Sequence, residues 1–177
     1  MIKQSSRESN RSDLQYDNEF WRFSLAVYKP ADVAAECLAL QEAVGLDINL
    51  LLFCAWLGTR AIVLSRSDIE AASRIVVPWH NSVVRPLRGV RRHIKTQYGD
   101  EFENLRSLVK ENELQAEQIE QAMLFAYAKG IQSPPGGSGH RDAVAKNVNE
   151  YIAMMSGPAQ SVPAAPLLIR AAQRSAQ

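Results

Sequence analysis

The chain has 177 residues, of which 46% are hydrophobic and 22% charged, and its 20 Lys and Arg offset 19 Asp and Glu to give a net charge of +1. This length suits a single domain with a core large enough to fold unaided. The near-zero charge argues against a general polyanion binder, because no overall field would attract nucleic acid or an anionic membrane. With 9 Gly and 8 Pro, the composition also excludes collagen-like and wholly disordered chains.

The cysteine content and the length of the apolar runs help to predict the cellular compartment of the protein. The chain has 2 cysteines, too few for the disulfide framework of a small secreted domain. Both Cys37 and Cys54 lie in apolar helical patterns, so we expect two buried thiols. The longest apolar run, residues 50–57, is far shorter than the roughly 20 residues that cross a bilayer, and the polar N-terminal segment lacks an apolar signal region. We therefore expect a cytoplasmic protein without a membrane span.

Composition also divides the chain into segments. Residues 1–16 form a polar, Ser-rich leader that we expect to be disordered, and residues 17–156 form one helical domain. Within that domain, residues 132–139 (QSPPGGSG) predict a loop, since neither helix nor strand tolerates so much Pro and Gly. Residues 157–177 predict a flexible tail, with the alternative that residues 167–169 dock as part of a short helix.

Helical spacing of apolar residues dominates the domain, and no segment alternates as a strand would. The prediction is an all-α fold, a compact bundle of five to seven helices. Asn18 is the expected N-cap of the first helix, and Gly45 the expected end of the second. Asp47 is the expected N-cap of a third helix that is apolar on nearly all sides, which predicts a buried central position.

The fourth helix carries two prolines. Ser67 and Glu70 match a capping box at its start, and Gly99 matches a C-terminal stop. Pro78 and Pro86 lie inside it, and each removes a backbone hydrogen bond and crowds the preceding turn. We therefore expect a kinked fourth helix.

The fifth helix is long, and Asp100 and Glu103 read as a capping pair at its start. Its apolar residues recur at spacings of three and four, which predicts antiparallel or coiled-coil-like packing and could support a homo-oligomer. The expected apolar seam of the fifth helix is Phe102, Leu105, Val109, Ala116, Ile119, Met123 and Ala126, and that of a sixth helix over residues 139–156 is Val144, Val148, Tyr151, Ile152 and Met155.

The strongest charge feature is a basic stretch late in the fourth helix. Arg85, Arg88, Arg92 and Lys95 are spaced by three and four residues and so share one helical face. Clustered guanidinium groups can clamp a phosphate or a carboxylate, and the adjacent Trp79 could stack on a ring. These five residues are the predicted binding surface.

The same pattern has a simpler interpretation. The following helix is rich in glutamate, with Glu113 and Glu117 expected on a solvated face. If the two helices pack antiparallel across Gly99, the basic and acidic faces pair with each other, and exposed pairs contribute little stability. Both interpretations remain open from the sequence.

A second candidate site lies at the start of the third helix. Asp47 and Asn49 are expected there as capping residues, since the free amides of a first turn need acceptors. They could instead help to hold an anion. The alternative functional hypothesis is therefore a pocket between helices three and four, lined by Asp47, Asn49, Trp79 and Arg85, that binds a small anionic ligand.

Catalytic signatures are missing from the sequence. It has no Gly-rich phosphate loop ahead of a helix and no nucleophile elbow, and His80, His93 and His140 have no metal-ligand spacing. We therefore expect no catalytic residue, no cofactor and no metal, and we predict a non-catalytic binding or regulatory module that uses the basic helix face, with a protein as a possible partner. A binding protein or enzyme for a small anion is the alternative, and a nucleic-acid-linked regulator is a weaker one, because the basic stretch ends a long helix rather than forming a short recognition helix.

Three sequence blocks carry a resemblance to a known family: NEFWRFSLAVY at 18–28, CLALQEAVGLDINLLLFCAWLG at 37–58 and WHNSVVRPLRGVRRHIK at 79–95. In this order they resemble a family of small, mainly proteobacterial proteins that share a domain of unknown function, and the similarity extends over residues 18–127. The resemblance implies no activity, cofactor or catalytic residue. Members of that family usually have Trp-Arg where this chain has Trp79-His80, which weakens the case for a basic residue at position 80.

Overall fold

A computed structural model describes residues 14–131, 139–156 and 164–175. These residues form helices and no strand. The α4 helix, a π-helical turn and α5 follow one another without a break, so the described residues form seven helical rods, which confirms the predicted all-α bundle. The helices are α1 (Glu19–Tyr28), α2 (Ala31–Val44), α3 (Ile48–Thr59), α4 (Arg66–Trp79), the π turn (His80–Val84), α5 (Arg85–Tyr98), α6 (Glu103–Ala128), α7 (His140–Ser156) and α8 (Pro166–Ser175).

The α3 helix forms the centre of the bundle, as its uniform apolar character predicts. Its residues from Ile48 to Gly58 are all buried, and it packs most extensively against α7. A Cβ atom placed on Gly58 would lie 2.4 Å from the Cα of Val144, so only glycine allows the two backbones to approach this closely. Phe53 packs edge-on against Phe20, with 5.6 Å between ring centroids.

Three of the predicted helix boundaries are present. The Oδ1 of Asn18 accepts a hydrogen bond from the amide of Trp21 at 2.8 Å, and the Oδ1 of Asp47 accepts one from the amide of Asn49 at 2.8 Å. Gly45 ends α2 in the left-handed conformation, with φ of 69°. All three features depend on a few consecutive residues, which is why the sequence alone identifies them.

The start of α4 differs from the prediction. The N-cap is Ser65, whose hydroxyl accepts from the amide of Asp68, while the Asp68 carboxylate accepts from the Ser65 amide at 2.8 Å. The capping box predicted from Ser67 and Glu70 is therefore wrong by two residues. Two overlapping four-residue patterns both fit a box, and the chain uses the earlier one.

The predicted irregularity of the fourth helix is a π-helical turn between the two prolines. The amide of Arg85 bonds to the carbonyl of His80, five residues back, where an α-helix would bond four back. Pro86 has no amide hydrogen to donate, and the hydroxyl of Ser82 bonds to the carbonyl of Pro78 at 2.7 Å. The wider turn accommodates both prolines within one continuous rod.

The buried face of α6 also differs from the prediction. Phe102 and Leu105, expected in its apolar seam, are 43% and 53% exposed. Glu113 and Glu120 are buried instead, together with Gln121. The capping pair expected at the start of α6 is absent too, because its N-cap residue Phe102 makes no side-chain hydrogen bond.

The C-terminal residues add a docked helix where we expected a flexible tail. In α8, Leu168 and Ala172 are fully buried, and the carboxylate of Glu36 accepts from the amides of Leu167 and Leu168 at 3.1 and 2.8 Å. The alternative of a docked helix is therefore the correct one for residues 164–175. In α7 the predicted core positions are buried except for Met155, which is 39% exposed.

Several expectations concern segments outside the described residues: most of the leader, at 1–13, nearly all of the loop, at 132–138, and the first part of the tail, at 157–163. Both cysteines, Cys37 and Cys54, are free and buried, as expected. Among the described helices, none has the length and apolar character needed to cross a membrane.

Candidate functional site

Two of the four cations in the predicted basic surface, Arg88 and Lys95, are paired with acidic groups. The α5 and α6 helices run antiparallel across Gly99, and Arg88 donates to Glu113 at 2.9 Å and to Glu117 at 2.5 Å. Lys95 pairs with Asp100 at 2.6 Å. The glutamates expected on a solvated face are therefore internal partners of the arginines.

The remaining members of the predicted surface have different environments. Trp79 donates its indole N–H to the carbonyl of Ala116 at 2.9 Å, so its role is to join α4 to α6. Arg85 and Arg92 have no acidic partner among the described residues, and Arg85 donates to Asn81 at 3.2 Å. The predicted cluster therefore separates into Trp79, a largely buried ion-pair network around Arg88, an exposed Lys95–Asp100 pair and two exposed arginines that are unpaired within the described structure.

Two clefts flank α5. The first has a volume of about 650 Å³ and is bounded by side chains of α1, α2, α3, α5 and α6. Most of its wall is apolar, and Asn49 is the member of the second predicted site that lines it. The apolar residues of this first cleft are Trp21, Leu25, Tyr28, Leu38, Ile48, Leu52 and Leu114.

Two buried polar atoms in the wall of the first cleft lack a hydrogen-bond partner. Ser24 and Gln121 are each 3% exposed, and neither the Ser24 Oγ nor the Gln121 Oε1 is bonded within the described structure. The Gln121 Nε2 donates to the Oδ1 of Asn49 at 2.8 Å, which fixes the orientation of its amide. Nearly all buried polar groups in proteins are hydrogen-bonded, so these two require an explanation.

The rim of the first cleft is basic. Lys29, Arg92 and Lys110 line it and have no ion pair within the described part of the chain, whereas Arg88 and Arg91 are balanced by the glutamates of α6. The unpaired charges on this rim are therefore all positive.

The second cleft has a volume of about 530 Å³ and lies on the other side of α5. Asp47 and His80 line it, together with Arg85, Arg92 and Tyr151. Asp47 and Arg85, two of the four residues predicted for a pocket between helices three and four, thus share this cleft, but Asn49 and Trp79 do not.

A carboxylate from α6 joins Asp47 and His80 at the second cleft. The Nδ1 of His80 lies 3.3 Å from the Oδ2 of Asp47 and 3.2 Å from the Oε2 of Glu120. The backbone amide of Asp47 donates to the hydroxyl of Tyr151 at 3.0 Å. The ligand-capable atoms of Asp47, His80 and Glu120 all lie within 4.8 Å of one another, and we call these three residues the Asp–His–Glu cluster.

Burial dominates the electrostatics of this cluster. The side chain of Glu120 is fully buried, which raises the pKa of its carboxyl, and the adjacent carboxylate of Asp47 raises this pKa further. Burial lowers the pKa of His80, while the negative charge of Asp47 acts in the opposite direction. Both shifts favour neutral side chains at neutral pH.

Sequence reasoning missed this cluster. His80 and Glu120 lie 40 residues apart on separate helices, so no motif spacing connects them. The one available signal is that Glu120 follows Ala116 by four residues and precedes Leu124 by four, which places it on a buried stripe of α6.

A family described as a protein of unknown function (DUF2390) matches residues 19–124, so the chain belongs to this family. The match covers every residue that lines the first cleft, but it leaves out α7 and α8, and with them Tyr151 and Met155 of the second cleft. No curated protein and no solved structure matches the chain.

Proposed function

We propose that this DUF2390 protein binds a small anion with an apolar body in the first cleft. The observation that carries the proposal is the pair of buried, unpartnered polar atoms on Ser24 and Gln121 in a wall that is mostly apolar. This deepens the alternative function predicted from the sequence, a binding site for an anionic small molecule, and moves it to the opposite side of α5.

The size and lining of the cleft support a ligand of this kind. A volume of about 650 Å³ falls within the roughly 300–1,000 Å³ of small-molecule sites. Burying a ligand's apolar surface against residues such as Trp21, Leu52 and Leu114 would supply most of the binding free energy. The few polar groups in such a wall then set the ligand's orientation.

The two unpartnered atoms define the polar part of the ligand. The hydroxyl of Ser24 can donate or accept, whereas the Gln121 Oε1 can only accept, because a carbonyl oxygen carries no hydrogen. The bond from its Nε2 to Asn49 fixes which end of the amide is left unpartnered. A ligand carrying a hydroxyl or amide group would satisfy both. An unsatisfied buried acceptor costs about 1–3 kcal/mol, so this contact would favour the bound state.

The basic rim supports a negative charge at the outer end of the ligand. Lys29, Arg92 and Lys110 have no acidic partner among the described residues. A carboxylate, sulfonate or phosphate at the mouth of the cleft would meet these charges while its apolar body lies inside.

Binding of 1-anilinonaphthalene-8-sulfonate, an apolar fluorescent anion, tests this proposal. We expect the dye to bind saturably at one site. Decanoate should displace it, whereas decanol, which has the same chain length but no charge, should displace it poorly. Arg92→Glu reverses one rim charge and is expected to weaken binding, while Arg170→Glu makes the same charge change on an exposed residue of α8 and should leave it unchanged. Equal binding by both variants, or absence of saturable binding, would contradict the proposal.

An anionic partner surface is a second candidate function, favoured by the exposure of Arg85 and Arg92 without ion pairs. Arg85 lines only the second cleft. Arg85→Glu should therefore abolish contact with such a partner and leave binding of the fluorescent anion unchanged. For a nucleic acid, the affinity would also fall steeply with salt. Homo-oligomerisation through α6 stays a prediction that sedimentation at two concentrations would test.

A further inference from the structure

Two carboxyl groups and one imidazole from three separate segments meet beside the second cleft. Asp47 precedes α3, His80 begins the π turn and Glu120 lies on the buried face of α6. We propose that the Asp–His–Glu cluster binds a divalent transition-metal ion such as Zn²⁺ or Mn²⁺. This site is separate from the first cleft and does not depend on the proposed anion binding.

The distances within the cluster suit a shared ion. Donor atoms bound to one metal at about 2.0–2.2 Å lie no more than about 4.4 Å apart. His80 Nδ1 is 3.3 Å from Asp47 Oδ2 and 3.2 Å from Glu120 Oε2, and no pair of ligand atoms exceeds 4.8 Å. A small side-chain rotation would bring all three donors to one ion.

A divalent cation would replace the proton that burial keeps on Glu120 in the metal-free protein. With both carboxyl groups then ionised and the imidazole neutral, as a metal ligand must be, the cluster carries two negative charges. Among the described residues, neither Asp47 nor Glu120 pairs with a lysine or arginine. An ion with two positive charges neutralises the cluster without a protein counter-charge.

An unpartnered acceptor provides independent support. With Glu120 ionised, as it would be in a metal site, the buried Oδ2 of Asp47 has no hydrogen-bond donor in the described structure, although it lies within 3.3 Å of His80 Nδ1. The other oxygen of Asp47 caps the amide of Asn49. A buried acceptor left unsatisfied is unfavourable, and coordination to a metal ion would satisfy this one.

The surroundings hold the candidate ligands in place. The backbone amide of Asp47 bonds to Tyr151, and the side chain of Asn49 hydrogen-bonds to Glu120. Such outer contacts orient metal ligands and are a regular part of metal sites. The His80 ring lies at a π turn, a feature that often occurs at functional sites.

The donor set and the cleft indicate which ion binds and how it is reached. An imidazole with two carboxylates suits Zn²⁺ or Mn²⁺ better than Mg²⁺, which keeps oxygen ligands and several waters. Asp47 and His80 line the second cleft, which provides an entry path. Three protein ligands leave at least one coordination position for water or another ligand, as in catalytic zinc sites.

Metal titration of the full chain, freed of metal with a chelator, tests this inference. By isothermal titration calorimetry we expect one Zn²⁺ or Mn²⁺ per wild-type chain, and an affinity at least about 10-fold lower in Glu120→Gln. The amide in this variant would keep the shape of the side chain and is uncharged, as burial favours for the Glu120 carboxyl in the metal-free protein, so the variant should fold. Glu117→Gln changes a carboxylate three residues earlier, outside the cluster, and should bind the ion as the wild type does.

Asp47→Asn is a second variant that tests the site. It should fold, because asparagine retains a side-chain oxygen that can cap α3. Zn²⁺ should raise the unfolding temperature of the wild type and of Glu117→Gln, and should raise it less in both cluster variants. The inference is overturned if the wild type binds neither ion at millimolar concentration, or if Glu120→Gln and Asp47→Asn bind as tightly as the wild type.

Discussion

The Nδ1 of His80 lies 3.2 Å from the Oε2 of Glu120, in a contact that joins the π turn to the buried face of α6. Glu120 is fully buried, and the neighbouring Gln121 reaches the first cleft while His80 reaches the second. Glu120 and Gln121 therefore form a polar stripe of α6 that contacts the second cleft through His80 and lines the first cleft directly. A change on this stripe can affect folding and both proposed sites together, whereas changes elsewhere in the chain separate these effects.

Arg88 is expected to be essential for stability. Arg88→Leu would leave Glu113 and Glu117 largely buried with only Arg91 to balance them, and removing one partner of a buried ion pair costs about 3–5 kcal/mol. Urea denaturation measures this loss. Lys95→Ala breaks an exposed pair with Asp100 and should change the free energy of unfolding by less than about 1 kcal/mol. Similar values for the two variants would show that the network is not a stabilising unit.

Replacing Gly58 and replacing Gly89 by alanine should change the stability of the protein in opposite directions. In Gly58→Ala the added methyl group would lie 2.4 Å from the Cα of Val144, which forces α3 and α7 apart and costs about 1–3 kcal/mol. Gly89 lies within α5 with nothing within 4 Å of an added Cβ, so Gly89→Ala should stabilise the chain by up to about 1 kcal/mol. Thermal unfolding of the two variants checks both signs, and a stable Gly58→Ala would disprove the close packing of α3 on α7.

Docking of α8 should contribute measurably to stability. Leu168→Ala removes a fully buried side chain and is expected to cost about 2–5 kcal/mol, whereas Arg170→Ala on the exposed face of α8 should be near neutral. Glu36→Ala removes the carboxylate that accepts from the first amides of α8 and should cost about 0.5–2 kcal/mol. Denaturation curves for the three variants test this order, and an unchanged Leu168→Ala would mean that α8 is not docked in solution.

The two thiols should be unreactive in the folded protein. Burial raises the pKa of Cys37 to about 12 and also raises that of Cys54, so little thiolate, the reactive form, is present at pH 8. We expect alkylation by iodoacetamide to be slow in buffer and rapid in urea. Since the folded pKa lies above the unfolded one, the free energy of unfolding should fall as the pH rises above about 8.5. Rapid labelling of Cys37 in buffer at pH 8 would contradict its buried position.

Local features of the chain were predictable where a few consecutive residues determine them. Asn18 and Asp47 cap their helices because each lies directly before the amides that it bonds. The two prolines predicted an irregular fourth helix for the same reason, although only the structure shows that the irregularity is a π turn. Where two local patterns overlapped, as at Ser65 and Ser67, the sequence did not distinguish them.

The sequence by itself determined the all-α class, the buried central helix and most helix boundaries, because these follow from apolar periodicity and local hydrogen bonding. Tertiary structure decided which face of α6 is buried, and thereby placed Glu113 against Arg88 and Glu120 against His80. A glutamate-rich stretch taken alone predicts a solvent-exposed face, since burying an isolated carboxylate has a large free-energy cost. Only the packing of a second helix, which supplies the arginine and the histidine, makes that burial stable.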